Sequence, residues 1–216
     1  MKRTFIIITL LLLTLFTQAQ QDSKAKGILD EVTAKTKTYK TISADFTFSM
    51  ENKEMEIDEK NDGSIKLKDK KYVVDLPDAG IKVFSDGTTS WNYMKQGNQV
   101  TVSTIEDMGN ELMDPSSLFS IYEKGFSSKF VAERNVGGKS IYQIDLFPEE
   151  DVYDVSKITI EINKSTMMIQ SATLYGTDGN LYGIVVKKME TNQDFSDADF
   201  IFDAKKFPDV EIIDLR

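Results

Sequence analysis

The sequence predicts a mainly β protein with some α-helix, an α+β chain built on one curled antiparallel sheet. Three observations lead there. From Ile42 onward the apolar residues recur with period two, the repeat of a strand with one buried face. Pairs such as Asp86-Gly87, Gly97-Asn98 and Gly137-Gly138 interrupt that alternation at hairpin intervals, and Gly and Asn tolerate the positive φ of tight turns. Helical spacing occurs in only two places, 23–40 and 113–125.

The first twenty residues stand apart. Lys2 and Arg3 precede an apolar run from Phe5 to Phe16, broken only by Thr, and small residues end it near Ala19. That is the layout of a cleavable signal peptide; the run is too short to span a bilayer. Residues 1–19 are therefore expected to be the signal and 20–216 a single domain outside the cytoplasm. Loss of Lys2 and Arg3 takes the formal charge from −9 to −11.

The elements follow in order. In 23–40, Ala25, Ile28, Leu29 and Val32 share one side at helical spacing, with Asp22 or Ser23 as the N-cap. "SADFTFSM" places Phe46, Phe48 and Met50 on one strand face, and "SIKLK" does the same for Ile65 and Leu67. Asn61-Asp62-Gly63 reads as the turn region between them. "KYVVDL", "IKVFSDG", "TSWNYM" and "QVTVST" continue the sheet, with Val83, Trp91 and Tyr93 at alternate positions. "MDPSSLFSIYEKG" then breaks the pattern: Asp114 caps, Pro115 starts and Gly125 ends a short helix whose face carries Leu118, Phe119 and Tyr122. Strands resume at "KFVAER" and "SIYQIDLFP". "SKITIEINK" alternates Ile158, Ile160 and Ile162 with polar residues, a half-buried antiparallel strand. "MMIQSATLY" and "LYGIVVKKME" form a last hairpin, for a total of about ten or eleven strands. A sheet of that width curls, and helices are expected to close its inner side.

Composition narrows the chemistry. The chain has no histidine, which removes His-based triads, His-ligated zinc and imidazole proton shuttles. It has no cysteine, so neither disulfides nor lipid attachment through a thiol is available. The acidic balance is wrong for nucleic acid, whose phosphates demand basic patches. The acidic loops "DEKNDG" (58–63) and "PEEDVYD" (148–154) read as solvated; Lys60 occupies the position where an EF-hand needs an oxygen ligand. No G-x-S-x-G elbow, S-x-x-K motif or Gly-rich phosphate loop is present. A hydrolase working through paired carboxylates is a minor alternative. The expectation is a protein that is not an enzyme and needs no cofactor or metal.

What remains is apolar strand face, more than two modest helices can cover. The surplus points to a cavity for a hydrophobic guest.

The order of features resembles a known family. Helix, "YKTISADFTFS" at 39–49, "FSDGTTSWNYMKQGNQVTV" at 84–102, Tyr142 to Pro148, Asp178-Gly179-Asn180, and finally Phe200, Phe202, Phe207 and Pro208 are similar in pattern and order to the periplasmic lipoprotein carriers of the LolA family. The resemblance implies an incomplete antiparallel β-barrel with helices as a lid over an apolar cavity. It implies a monomer that binds the acyl chains of lipoproteins and shuttles them from the inner to the outer membrane. Its partners would be acylated lipoproteins, an inner-membrane ABC-type releasing complex and an outer-membrane receptor. On strand parity and helix spacing, the expected lining is Phe46, Phe48, Met50, Ile65, Leu67, Val83, Trp91, Tyr93, Leu118, Phe119, Ile158, Ile160 and Ile162. An arginine that latches the lid in the family falls near Asp69 here, among Lys68, Lys70 and Lys71. A regulatory or sensory lipoprotein-binding domain on the same scaffold is the alternative reading.

Overall fold

The computed structural model describes residues 23–105, 125–150 and 153–216. The expected signal peptide, Asp22, and the helix carrying Leu118, Phe119 and Tyr122 lie outside those residues.

One helix, α1 (23–36), opens the described chain. The strands are β1 (Ile42–Asn52), β2 (Ile57–Lys68), β3 (Lys71–Leu76), β4 (Ile81–Ser85), β5 (Thr89–Met94), β6 (Gln99–Thr104), β7 (Phe126–Val136), β8 (Lys139–Pro148), β9 (Val155–Asn163), β10 (Met168–Gly176), β11 (Leu181–Thr191) and β12 (Glu211–Asp214). They form one sheet in the order β12-β6-β5-β4-β3-β2-β1-β11-β10-β9-β8-β7. Two hairpin meanders, β1–β6 and β7–β11, therefore join where β1 pairs antiparallel with β11. The sheet is open: β12 and β7 are its edges and do not meet. The open antiparallel sheet agrees with the expected incomplete barrel; among the described residues it has twelve strands rather than ten or eleven, and a lid of helices over a cavity is not shown there.

The turn chemistry works as read at several hairpins. Asp86 accepts hydrogen bonds on Oδ1 from Thr88 N and Thr89 N at 2.9 and 2.8 Å, and Gly87 takes φ +90°. Gly137 and Gly138 take φ +57° and +78° between β7 and β8.

Asn61-Asp62-Gly63 is a correction. It is not a turn: β2 runs straight through it, and the chain reverses earlier, at 53–56. Gly63 is required by packing instead. A Cβ there would sit 2.6 Å from Leu76 Cδ2, 2.8 Å from Phe46 Cζ and 2.9 Å from the Asp75 carbonyl oxygen.

The two faces are covered differently. On one face α1 packs Ala25, Ile28, Leu29 and Val32 onto buried residues of β7–β10, among them Phe130, Ile144 and Ile160. On the other, the segment after β11 crosses back over β3–β5. Its 3-10 turn at Asp197–Phe200 is closed by a capping box on Ser196. Phe200 is fully buried against Val73 and Phe84, with Phe195, Phe202, Phe207 and Trp91 packed round them. The chain then adds β12 parallel to β6.

Candidate apolar binding face

Cross-strand partners share a face, so the register decides which side chains meet. On the face that carries α1, Phe46, Phe48 and Met50 of β1 stand opposite Val186, Ile184 and Tyr182 of β11. On the other flank of β1, Ala44 stands opposite Ile65 and Ile42 opposite Leu67. Ile65 is in turn opposite Val74, and Val74 opposite Val83. Ile184 is opposite Ala172, Ala172 opposite Ile160, and Ile160 opposite Ile144. The result is one apolar surface from β4 to β8 on the helix side of the sheet. It ends at β5, where Ser90 and Asn92 follow.

The sequence-predicted residues divide into groups. Phe46, Phe48, Met50, Ile65, Leu67 and Val83 fall together on this surface. Ile158, Ile160 and Ile162 face the same way but lie buried beneath α1, in the helix–sheet core. Leu118 and Phe119 lie outside the described residues. Trp91 and Tyr93 are on the opposite face, which corrects the expectation that they share one with Val83. Phe84, not Val83, is opposite Trp91, so alternation counted through the Asp86-Gly87 turn changes sides. Tyr93 stacks on Phe202 and touches Phe207, with ring centroids 6.4 and 4.5 Å apart. Both aromatics face the folded-back C-terminal segment.

Sequence reading missed Val74, Leu174, Tyr182, Ile184 and Val186 on the helix-side face. In "GIVVK" three consecutive apolar residues hide the parity; Val185 between them points outward and is exposed.

Burial along the surface is uneven. Under α1 the side chains are buried. Along β11, β1, β2, β3 and β4 the apolar side chains Ile184, Val186, Phe48, Met50, Ile65, Val74 and Val83 are only half-buried. Phe48 stacks on Tyr182 at 6.4 Å between ring centroids, inclined 25°. These side chains present aliphatic and aromatic carbon on the helix-side face.

Glu59 stands opposite Met50 at the far end of β1; other charged groups lie on the opposite face. Lys68 Nζ and Lys71 Nζ each reach Asp197 at 2.9 Å, and Lys68 also donates to the Phe195 carbonyl at 2.9 Å. Hydrogen bonds from Lys68 and then Lys71 pull the Asp197 carboxyl down to about 2. The lysines flanking Asp69, where the family resemblance placed a lid latch, thus clasp the C-terminal segment on the face away from α1.

The sequence profile of the family described as "outer membrane lipoprotein carrier protein LolA" matches residues 37–203. A search of curated proteins returns no match. Among solved structures, an uncharacterized conserved protein from Thermus thermophilus is similar at 11% identity and TM-score 0.59, over 88% of this chain and 99% of that one. A DUF1329 family protein from Desulfovibrio piger aligns at 13% identity and TM-score 0.48, over 85% and 98%. A LolA superfamily protein from Nitrosomonas europaea aligns at 10% identity and TM-score 0.45, over 82% and 97%. At such identities the Thermus structure speaks to the fold alone. The profile match extends from just after α1 through both meanders to the C-terminal clasp, and the chain belongs to the LolA family of outer membrane lipoprotein carrier proteins.

Proposed function

We propose that this protein is a periplasmic carrier that holds the acyl chains of lipoproteins against the helix-side face of its sheet. In this reading it takes them from an inner-membrane ABC-type releasing complex to the outer membrane, and hands them to a receptor there. The observation that carries the reading is the set of half-buried apolar side chains on one face, Ile184 beside Phe48 and Ile65 beside Val74 and Val83, joined along β1 by the buried Phe46 and Ala44.

The energetics suit the task. At about 0.8 kcal/mol per methylene, a chain of about 16 carbons in water carries a penalty on the order of 12 kcal/mol. A carrier has to offset most of that and still let go. Half-buried aliphatic and aromatic side chains do so without directional bonds that must be broken at delivery. An acidic surface adds repulsion from anionic head groups, so the protein does not linger on either membrane. Neither a cofactor nor catalysis enters the scheme, and a monomer suffices.

The test is to purify the protein from its native periplasm and examine it by intact-mass spectrometry. Co-purifying acylated lipoprotein is the expected result. Recovery of empty protein, together with no uptake of a fluorescent fatty acid, would contradict the reading.

A further inference from the structure

The sheet is not continuous along its whole length. β10 and β11 pair only from Ser171–Val185 to Tyr175–Leu181. Beyond that, Met168 and Ile169 stay with β9, while Val186 to Thr191 stay with β1. The two strands diverge into a fork at the C-terminal end of α1, and the fork holds a cavity of about 510 Å³, within the range of small-ligand sites.

Its lining is unusual for this chain. Lys35, Lys139, Lys187 and Lys188 border it, and no Asp or Glu does, although acids outnumber bases 35 to 26 in the whole sequence. Lys187 and Lys188 are engaged with Asp62 and Glu190. Lys35 and Lys139 have no ion pair among the described residues. The last turn of a helix favours a cation at Lys35 by itself; it says nothing for Lys139, which comes from the start of β8. The wall mixes polar side chains, among them Asn163 and Thr191, with apolar ones that reach both cores: Ile169 belongs to the cluster under α1, and Tyr39 and Met189 pack on the cluster round Ile42 and Leu67.

Cations at the mouth and apolar side chains leading to the helix-side face are the layout for an amphiphile. We propose that the fork seats the anionic head group, phosphate or carboxylate, of a lipid whose tail lies along the helix-side face, with Lys35 and Lys139 as the contacting cations. This rests on the reading of that face as acyl-binding and extends it from the acyl chains of lipoproteins to free anionic lipids.

The experiment titrates the purified protein calorimetrically, at low ionic strength, with two single-chain probes below their micelle concentrations: dodecanoyl lysophosphatidic acid and dodecanoyl lysophosphatidylcholine. Inorganic phosphate is the third ligand. Two unpaired lysines should favour the anionic probe by about tenfold. K35Q/K139Q should bring the two probes to within about twofold, by weakening only the anionic one, while K35R/K139R keeps the preference. Circular dichroism confirms that each variant is folded. Equal affinities in the unaltered protein, or a preference that survives K35Q/K139Q, overturn the head-group site and leave acyl binding standing. Inorganic phosphate binding as tightly as the anionic lipid overturns the link to the tail. Failure to bind either lipid overturns both readings together.

Discussion

Phe48 shows how much a single position can decide. Its ring is half-buried on the helix-side face, stacked on Tyr182. A carboxylate there would sit where an acyl chain lies, and burying an unpaired charge is costly. Phe48→Glu is expected to weaken uptake of a fluorescent fatty acid by at least about tenfold while the circular dichroism spectrum is kept; unchanged uptake by a folded variant would show that the ligand lies elsewhere. Gly63 is the counterpart in packing. Two side chains and a carbonyl crowd the space where its Cβ would be, and the carbonyl cannot rotate aside. Gly63→Ala should cost about 1–3 kcal/mol in urea unfolding, through the clash with packed neighbours rather than through an unfavourable φ; an unchanged midpoint would show that the neighbours give way. The same residue marks a limit of sequence reading. Asn-Asp-Gly has turn chemistry, and only the approach of Phe46 and Leu76 from neighbouring strands reveals that its glycine serves packing.

At the scale of elements, helix α1 and the strands with clean alternation were legible. Ala25, Ile28, Leu29 and Val32 on one helix side, and Ile158, Ile160 and Ile162 on one strand face, occur in the structure as the spacing implies. Periodicity within an element survives because it depends on local geometry alone. What failed was parity carried between elements. Trp91 and Tyr93 lie across the Asp86-Gly87 turn from Val83, and the pairing of Phe84 with Trp91 sends them to the other face. The C-terminal segment that covers them was equally hidden, since its 3-10 turns and the parallel strand β12 have no period to read. That segment makes its own predictions. Phe200 is fully buried in its anchoring cluster, so Phe200→Ala should lose about 3–5 kcal/mol of stability without altering fatty-acid affinity in the protein that remains folded. The clasp on Asp197 sets a pH dependence. Its carboxyl is depressed to about 2 from an ordinary 3.8, so the stabilisation is complete above the ordinary value and is lost as pH falls through about 2. Fluorescence of Trp91, which packs beneath the segment, should report the loosening between those values. Asp197→Asn should remove that pH step; an identical acid transition in the variant would show that the clasp does not govern it.

For the whole molecule, the sheet works with two differently dressed sides. One is closed by the chain itself, through Phe200, Phe202 and Phe207 over β3–β5. The other is closed by α1 over β7–β10 and grades into half-buried apolar residues along β11 to β4. The family was legible from the order of short motifs, and the "SDG…W-Y" stretch belongs to the side that the chain seals for itself. The central claim is therefore about sides. The most direct measurement is photo-crosslinking of the purified protein with a fatty acid bearing a diazirine at its chain end, followed by peptide mapping. The account predicts adducts on β1, β2 and β11, at or next to Phe48, Ile65 and Ile184. Adducts confined to Trp91, Tyr93 and Phe202 on the opposite face, or none at all, would contradict it.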